Sequence, residues 1–262
     1  MRLPLIALIA AALLCGALPG SAADAQSAKI KLLLITGDDV GAHKWQETAP
    51  ATRDILAKSG RFDVKVVEDL ACLDNADELK PFDVIFLHRY HTKGHLSDKG
   101  KENLLSFVKD GKGFVVAHLA SASFGLRKKK EGDKMVVVQE PWEEFQKLCG
   151  RVWVMGTSGH GPRAPFKVKI VNAKNPIVKG IADFEADDEL YAKLQGDAKI
   201  NVLATADSDW SKKTEPLVFT LNYGKGRVFH EAFGHDVKSL KNDSIEKIIC
   251  RGCEWAATGK VK

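Results

Sequence analysis

Histidine recurs in this chain where an apolar run gives way to a loop. His43 follows residues 29–36, His88, His91 and His95 follow residues 82–87, His118 follows residues 114–117, and His235 follows residues 227–233. Asp38, Asp39, Arg89 and Asp236 accompany them, as does the indole of Trp45. Imidazole moves protons near neutral pH and ligates divalent metals, so such a set suits acid/base or metal chemistry. A single loop histidine is more often hydrogen-bonded to a neighbouring loop than functional, but strand end after strand end carrying one is a stronger pattern. No H-E-x-x-H sequence occurs, so spacing alone supplies no metal motif. His118 is the most informative. It follows Phe114, Val115, Val116 and Ala117 directly and precedes Leu119, Ala120 and Ser121, a strand-to-turn geometry of the nucleophile-elbow kind that leaves an imidazole exposed yet positioned. His230 lies inside a strand and reads as structural.

These loops meet in space only if the strands before them lie side by side and point the same way. Residues 29–36 form a nearly continuous apolar run, as expected of a strand buried on both faces of a parallel sheet. A helix follows with Thr48 as its cap and Pro50 in its first turn. Residues 62–67 and 82–87 read as further strands, Ser97 caps a helix carrying Leu104, Leu105, Phe107 and Val108, and Gly111 and Gly113 close it before the strand at 114–117. Such alternation implies right-handed βαβ units and a mostly parallel sheet with helices on both faces. The second half differs: residues 135–138, 166–171, 200–206, 216–221 and 227–233 are strands with little helix between them, which implies an antiparallel extension. Asp243 with Glu246 opens a final helix through Ala257, whose Ile245, Ile248, Ile249, Gly252, Cys253 and Ala256 form one apolar stripe. The fold class is α/β of the doubly wound type, and ligands in such sheets bind outside the carboxyl ends of the strands.

Residues 1–25 carry Arg2, an apolar run from Leu3 to Leu14, and then small residues, the order of a cleavable secretory signal. The run is short for a transmembrane helix, and the bulky Leu14 before Cys15 disfavours lipidation. The chain therefore reads as exported, periplasmic or extracellular, with one domain over residues 27–260. The net charge of +5 is small against 28% charged residues. Its densest cluster, Arg127 to Lys130, is followed at once by Glu131 and Asp133 and looks like a solvated hairpin tip, so nucleic-acid binding is not indicated. Cys250 and Cys253 share a helix face that disfavours a bridge, and with Cys72 and Cys149 they read as buried, inert thiols.

The loop containing His43, the strand ending in His118, the segment Gly159-His160-Gly161, the run Asp187-Asp188-Glu189-Leu190-Tyr191, and the stretch YGKGRVFHEAFGHD over residues 223–236 followed by residues 251–257 together resemble the ThuA-like (trehalose utilisation) family. The resemblance covers nearly all of the chain after the leader, and its last two motifs are the most specific. It implies a class I glutamine amidotransferase-like fold, built on a flavodoxin-like sheet. Where true glutaminases place a cysteine nucleophile after the elbow strand, this chain has His118, and where they place a late histidine base it has His235. Cysteine-dependent amide hydrolysis is therefore not expected.

On that alignment of roles His118, Glu189 and His235 form the candidate catalytic set. They either supply three ligands to a divalent metal such as zinc with an open fourth position, or act without metal as acid and base. Asp39, His43, Trp45 and His160 are candidate substrate contacts: Trp45 stacks on an apolar sugar face or packs in the core, and His160, between glycines, sits on a mobile loop able to cover the cleft. The family's association with trehalose implies a small saccharide partner, either a disaccharide or a keto-sugar, handled by a lyase, hydrolase or isomerase. Two other readings stand beside it. One is a non-catalytic sugar-binding or accessory module on the same fold, and the other is a hydrolase using Ser121.

Overall fold

The computed structural model describes residues 28–38, 41–88, 90 and 96–262. In chain order the elements are β1 (Ile30–Ile35), α1 (Trp45–Lys58), β2 (Phe62–Val67), α2 (Ala76–Leu79), β3 (Val84–Leu87), α3 (Asp98–Lys109), β4 (Gly113–Ala117), β5 (Arg127–Glu131), β6 (Lys134–Gln139), α4 (Glu143–Cys149), β7 (Ala164–Ile170), β8 (Phe184–Asp188), β9 (Asn201–Ser208), β10 (Lys213–Tyr223), β11 (Gly226–Glu231), α5 (Val237–Leu240) and α6 (Asp243–Thr258). The main sheet has the order β2-β1-β3-β4-β11-β10-β9-β7-β8. Strands β2, β1, β3, β4 and β11 run parallel and the rest antiparallel. The parallel half thus has the flavodoxin-like order, and β5 and β6 form a separate hairpin.

Successive residues of the parallel strands serve opposite faces. Leu32, Leu34, Phe86, Val115 and Phe229 pack with Leu56 of α1 and Ile245, Ile248 and Ile249 of α6. Leu33, Ile35, Ile85, Phe114, Val116 and Val228 pack on the other side with Leu104 and Val108 of α3 and Phe145 and Leu148 of α4. Two buried faces explain why these runs are apolar without alternation. Gly252 of α6 sits where the helix crosses β11, and a β-carbon there would collide with the Phe229 ring. Gly252→Ala should therefore cost about 1–3 kcal/mol in urea unfolding, despite alanine's better helix propensity.

Three local expectations need correction. Helix α1 starts at Trp45, so Thr48 is inside it, with its hydroxyl 3.3 Å from Lys44 O, and Pro50 falls in the second turn. Helix α4 was not anticipated, because seven residues with Phe145, Leu148 and Cys149 buried are too few to display a period. Strand β8 was missed because only Ala186 and Asp188 of its residues are buried, which leaves a polar-looking run.

The antiparallel arm also has to bend. Strand β8 lies four places from β11 in sheet order, which in a flat sheet is about 19 Å. Yet the Asp188 carboxylate at its end accepts a hydrogen bond from Gly234 N at 2.8 Å. The arm curls until its edge meets the loop after β11, adding β8 to the strands whose ends deliver side chains to one place. No helix among the described residues is long and apolar enough to cross a membrane.

Candidate active site

His43 comes from the loop after β1, His118 from the end of β4, His235 from the turn between β11 and α5, and Glu189 from the end of β8. His43 Nε2 lies 3.1 Å from His118 Nε2 and 3.2 Å from His235 Nδ1. Glu189 Oε2 lies 3.6 Å from both His43 Nε2 and His118 Nε2 and 3.2 Å from His235 Nδ1. All four donor atoms fall within 4.8 Å of one another. A tetrahedral zinc ion with bonds near 2.0–2.1 Å places its ligands about 3.3 Å apart. Five of the six edges here span 3.1–3.6 Å. This donor set and spacing fit a divalent cation.

The surroundings hold the donors in that arrangement. His118 has φ of 47°, a left-handed backbone rare for a side chain with a β-carbon, as the strand-to-turn reading requires. Its Nδ1 lies 2.8 Å from Ala232 O. An Nδ1–H donating to that carbonyl leaves the Nε2 lone pair facing the cluster, the outer-shell arrangement typical of ligating histidines. Asp188, fully buried, accepts backbone N–H bonds from Glu189 at 2.8 Å, Gly234 at 2.8 Å and His235 at 3.3 Å. One carboxylate therefore fixes the backbone of two of the four donors. The Tyr191 ring stacks on the His118 imidazole, and its hydroxyl lies 2.8 Å from Nε2, at the same lone pair that a bound cation would take from it.

Electrostatics separates the groups. Burial pushes the Glu189 carboxyl up, but contacts with His118, His235 and His43 outweigh it and hold the group far below the ordinary carboxylate range. Those contacts act through proximity, because Oε2 is buried without a well-directed hydrogen bond to any of them. Glu189 raises the His235 imidazole against the opposing effect of burial. Burial lowers His43, ahead of the opposing contact with Glu189. Neighbouring imidazoles pushed in opposite directions are poised for different protonation states. Burial, then Glu189 and Asp188, push the Tyr191 phenol well above its usual value, so it stays a donor.

The positions of the other anticipated residues are mixed. His43 stands inside the imidazole cluster rather than in an outer sugar-contacting position. Trp45 is half-buried, packs on the core and also lines a small cavity beside the cluster with Asp38, His88, Tyr90 and His118. His118 is not exposed: it retains 3% of its surface. His160 Nε2 reaches Glu189 Oε1 at 3.5 Å, and paired bonds between Gly159 and Ala192 pin its loop in place of a free cover. Ser121 is fully buried, and its hydroxyl donates to His118 O at 3.1 Å, which removes it as a nucleophile. His230 stacks on Phe219 with Nδ1 3.1 Å from Cys149 O, the structural role anticipated. Cys72, Cys149, Cys250 and Cys253 are free thiols, and burial pushes those of Cys149 and Cys253 up. Asp39, Arg89, His91 and His95 lie outside the described residues. Asp188, Tyr191 and Trp153 were not singled out; the first two sat in a run already noted, and Trp153 meets Tyr191 edge-on at 4.7 Å.

The ThuA family model, described as trehalose utilisation, matches residues 31–256. Two ThuA-like proteins of known structure share the fold. That of Parabacteroides merdae ATCC 43184 is 27% identical with a TM-score of 0.69, over 90% of this chain and 92% of the other. That of Bacteroides uniformis ATCC 8492 is 17% identical with a TM-score of 0.68, over 92% and 98%. A β-galactosidase from Bacillus circulans sp. alkalophilus is similar in fold, at 16% identity and a TM-score of 0.56, with 85% of this chain matching 30% of the enzyme. No curated protein sequence matches the chain. The α/β architecture shared with ThuA-like proteins and the family match agree, and the chain belongs to the ThuA family, described as trehalose utilisation.

Proposed function

We propose that this is an exported, carbohydrate-active protein that performs proton transfer on a keto derivative of a disaccharide, at a site where His43, His118, Glu189 and His235 hold one divalent cation of the zinc type. The observation that carries the reading is Glu189 Oε2, buried, without a well-directed hydrogen bond, and facing three imidazole nitrogens at 3.2–3.6 Å. A buried acceptor in that state is costly unless something pairs with it. Family membership in trehalose utilisation supports a saccharide substrate, and the leader-like residues 1–25 support export.

When bound, the cation supplies Lewis acidity toward a carbonyl oxygen. The rest falls to the chain. A ketone acidifies the C–H beside it, and a base within reach can move that proton between carbons. His160 suits that work: it is the most exposed imidazole touching Glu189, at 33% of its side-chain surface, and it lies outside the donor set. Tyr191 holds His118 in place by stacking, while His88, lowered to about 4 by burial and then by His118, stays neutral in the wall of the small cavity.

The reading is tested by assaying 3-keto-disaccharide turnover with His118→Ala and His235→Ala. Each should lower the rate about 100-fold or more. Turnover at the wild-type rate in both variants would remove the proposal, and saturable binding without product in the wild type would favour an accessory module.

A further inference from the structure

A cleft of about 660 Å³ opens beside the histidine cluster, within the size range of small-molecule sites. Its walls come from Tyr90, the segment around Ser121 to Lys128, Gln146 of α4 and the segment around Trp153. Two wall residues link it to the reactive centre. Tyr90 lines both this cleft and the small cavity at His118. Trp153 lines the cleft and packs edge-on against Tyr191, whose hydroxyl touches His118. The Trp153 backbone is itself tied down, its N–H bonded to Ser121 O at 3.2 Å.

The cleft has an apolar wall and a cationic rim. Trp153, half-buried, offers ring surface of the kind that packs on the C–H face of a sugar, and buried Phe124 backs the wall. Arg127, half-buried, and Lys128 line the opposite margin at the base of the β5–β6 hairpin. Along the same strand Lys129 pairs with Glu131 at 3.9 Å, whereas Arg127 and Lys128 form no salt bridge with a carboxylate among the described residues. A partly desolvated guanidinium at the mouth of a cleft, with no carboxylate salt bridge among the described residues, is arranged to meet an oxyanion on a ligand.

We infer that this cleft holds the non-reacting unit of the substrate, and that the preferred substrates are anionic saccharides whose carboxylate or phosphate is recognised by Arg127 with help from Lys128. The inference rests on the proposed sugar chemistry at the histidine cluster and names the class of sugar that reaches it.

The test is calorimetric titration of the full-length protein with three disaccharides: a neutral one, one bearing a uronic acid carboxylate and one bearing a phosphate. Arg127→Ala and Arg127→Lys are titrated alongside, with thermal unfolding to confirm that each is folded. The expected result is that at least one anionic sugar binds about tenfold tighter than the neutral one, a difference of about 1.4 kcal/mol. That preference should vanish in Arg127→Ala, be partly kept in Arg127→Lys and shrink with added salt. The arm that shows the preference identifies the oxyanion. Equal binding of all three sugars, or a preference that survives Arg127→Ala, overturns this inference and leaves the sugar-processing reading intact. Binding of none of them overturns both.

Discussion

Glu189→Ala should abolish both retained divalent metal and keto-sugar turnover while leaving the fold in place. The carboxylate stands 3.2–3.6 Å from three imidazole nitrogens, closing a donor set that is otherwise all nitrogen. Loss of an outer-shell partner typically lowers metal affinity about 10–100-fold, so loss of a direct donor should exceed that range. Three imidazoles without the carboxylate also lose their only anionic neighbour in the donor set, which removes the contact that raises His235. Turnover should drop by about 10³-fold or more, because the lost ion takes with it several kcal/mol of charge stabilisation at the keto oxygen. Glu189→Gln separates charge from shape: it keeps the volume but should still lose the metal. Elemental analysis after dialysis and a turnover assay on the same sample check both halves of this prediction.

Asp188→Ala should be the most damaging single change to stability around the site, by about 3 kcal/mol or more. The fully buried carboxylate satisfies the backbone N–H groups of Glu189, Gly234 and His235, and alanine would leave those donors buried without acceptors. It also joins β8 to the turn after β11, so its removal loosens Glu189 and His235 together. Urea unfolding should show a lower midpoint, and metal retention should fall even in the folded fraction. Asp188→Asn, which keeps acceptor oxygen but adds an N–H₂ group facing amide donors, should recover only part of the loss. A variant as stable as wild type would mean that the curl of the antiparallel arm is held elsewhere.

The parallel half of this molecule was legible because of where it is buried. Strands covered on both faces must be apolar, and residues 32–35, 84–87 and 113–117 are, with exposed Lys31 the one polar position near the start of β1. Histidines placed directly after such strands inherit a location, which is why His118 and His235 could be paired in advance. Their partner Glu189 was reachable only through family likeness, since β8 alternates buried Ala186 and Asp188 with polar exposed residues and resembles a loop in sequence. The curl that brings β8 against β11 joins residues 46 positions apart, and no local pattern encodes it. His43 shows the same limit. Its residue type suggested a sugar contact, but its position among the imidazoles depends on the path of the loop after β1. Asp188 and Tyr191 have ordinary polar identities, and their roles follow from burial and from the single geometry in which each meets its partners.

The central claim is that four side chains from four separate strand ends form a cation site. The most direct measurement is the metal content of the full-length protein, loaded with zinc, dialysed against metal-free buffer and analysed by elemental mass spectrometry. The account predicts about one tightly held ion per chain, lost on replacing His118 and Glu189 together in a protein that still unfolds cooperatively. Wild-type protein that releases its zinc as readily as that double variant would contradict it.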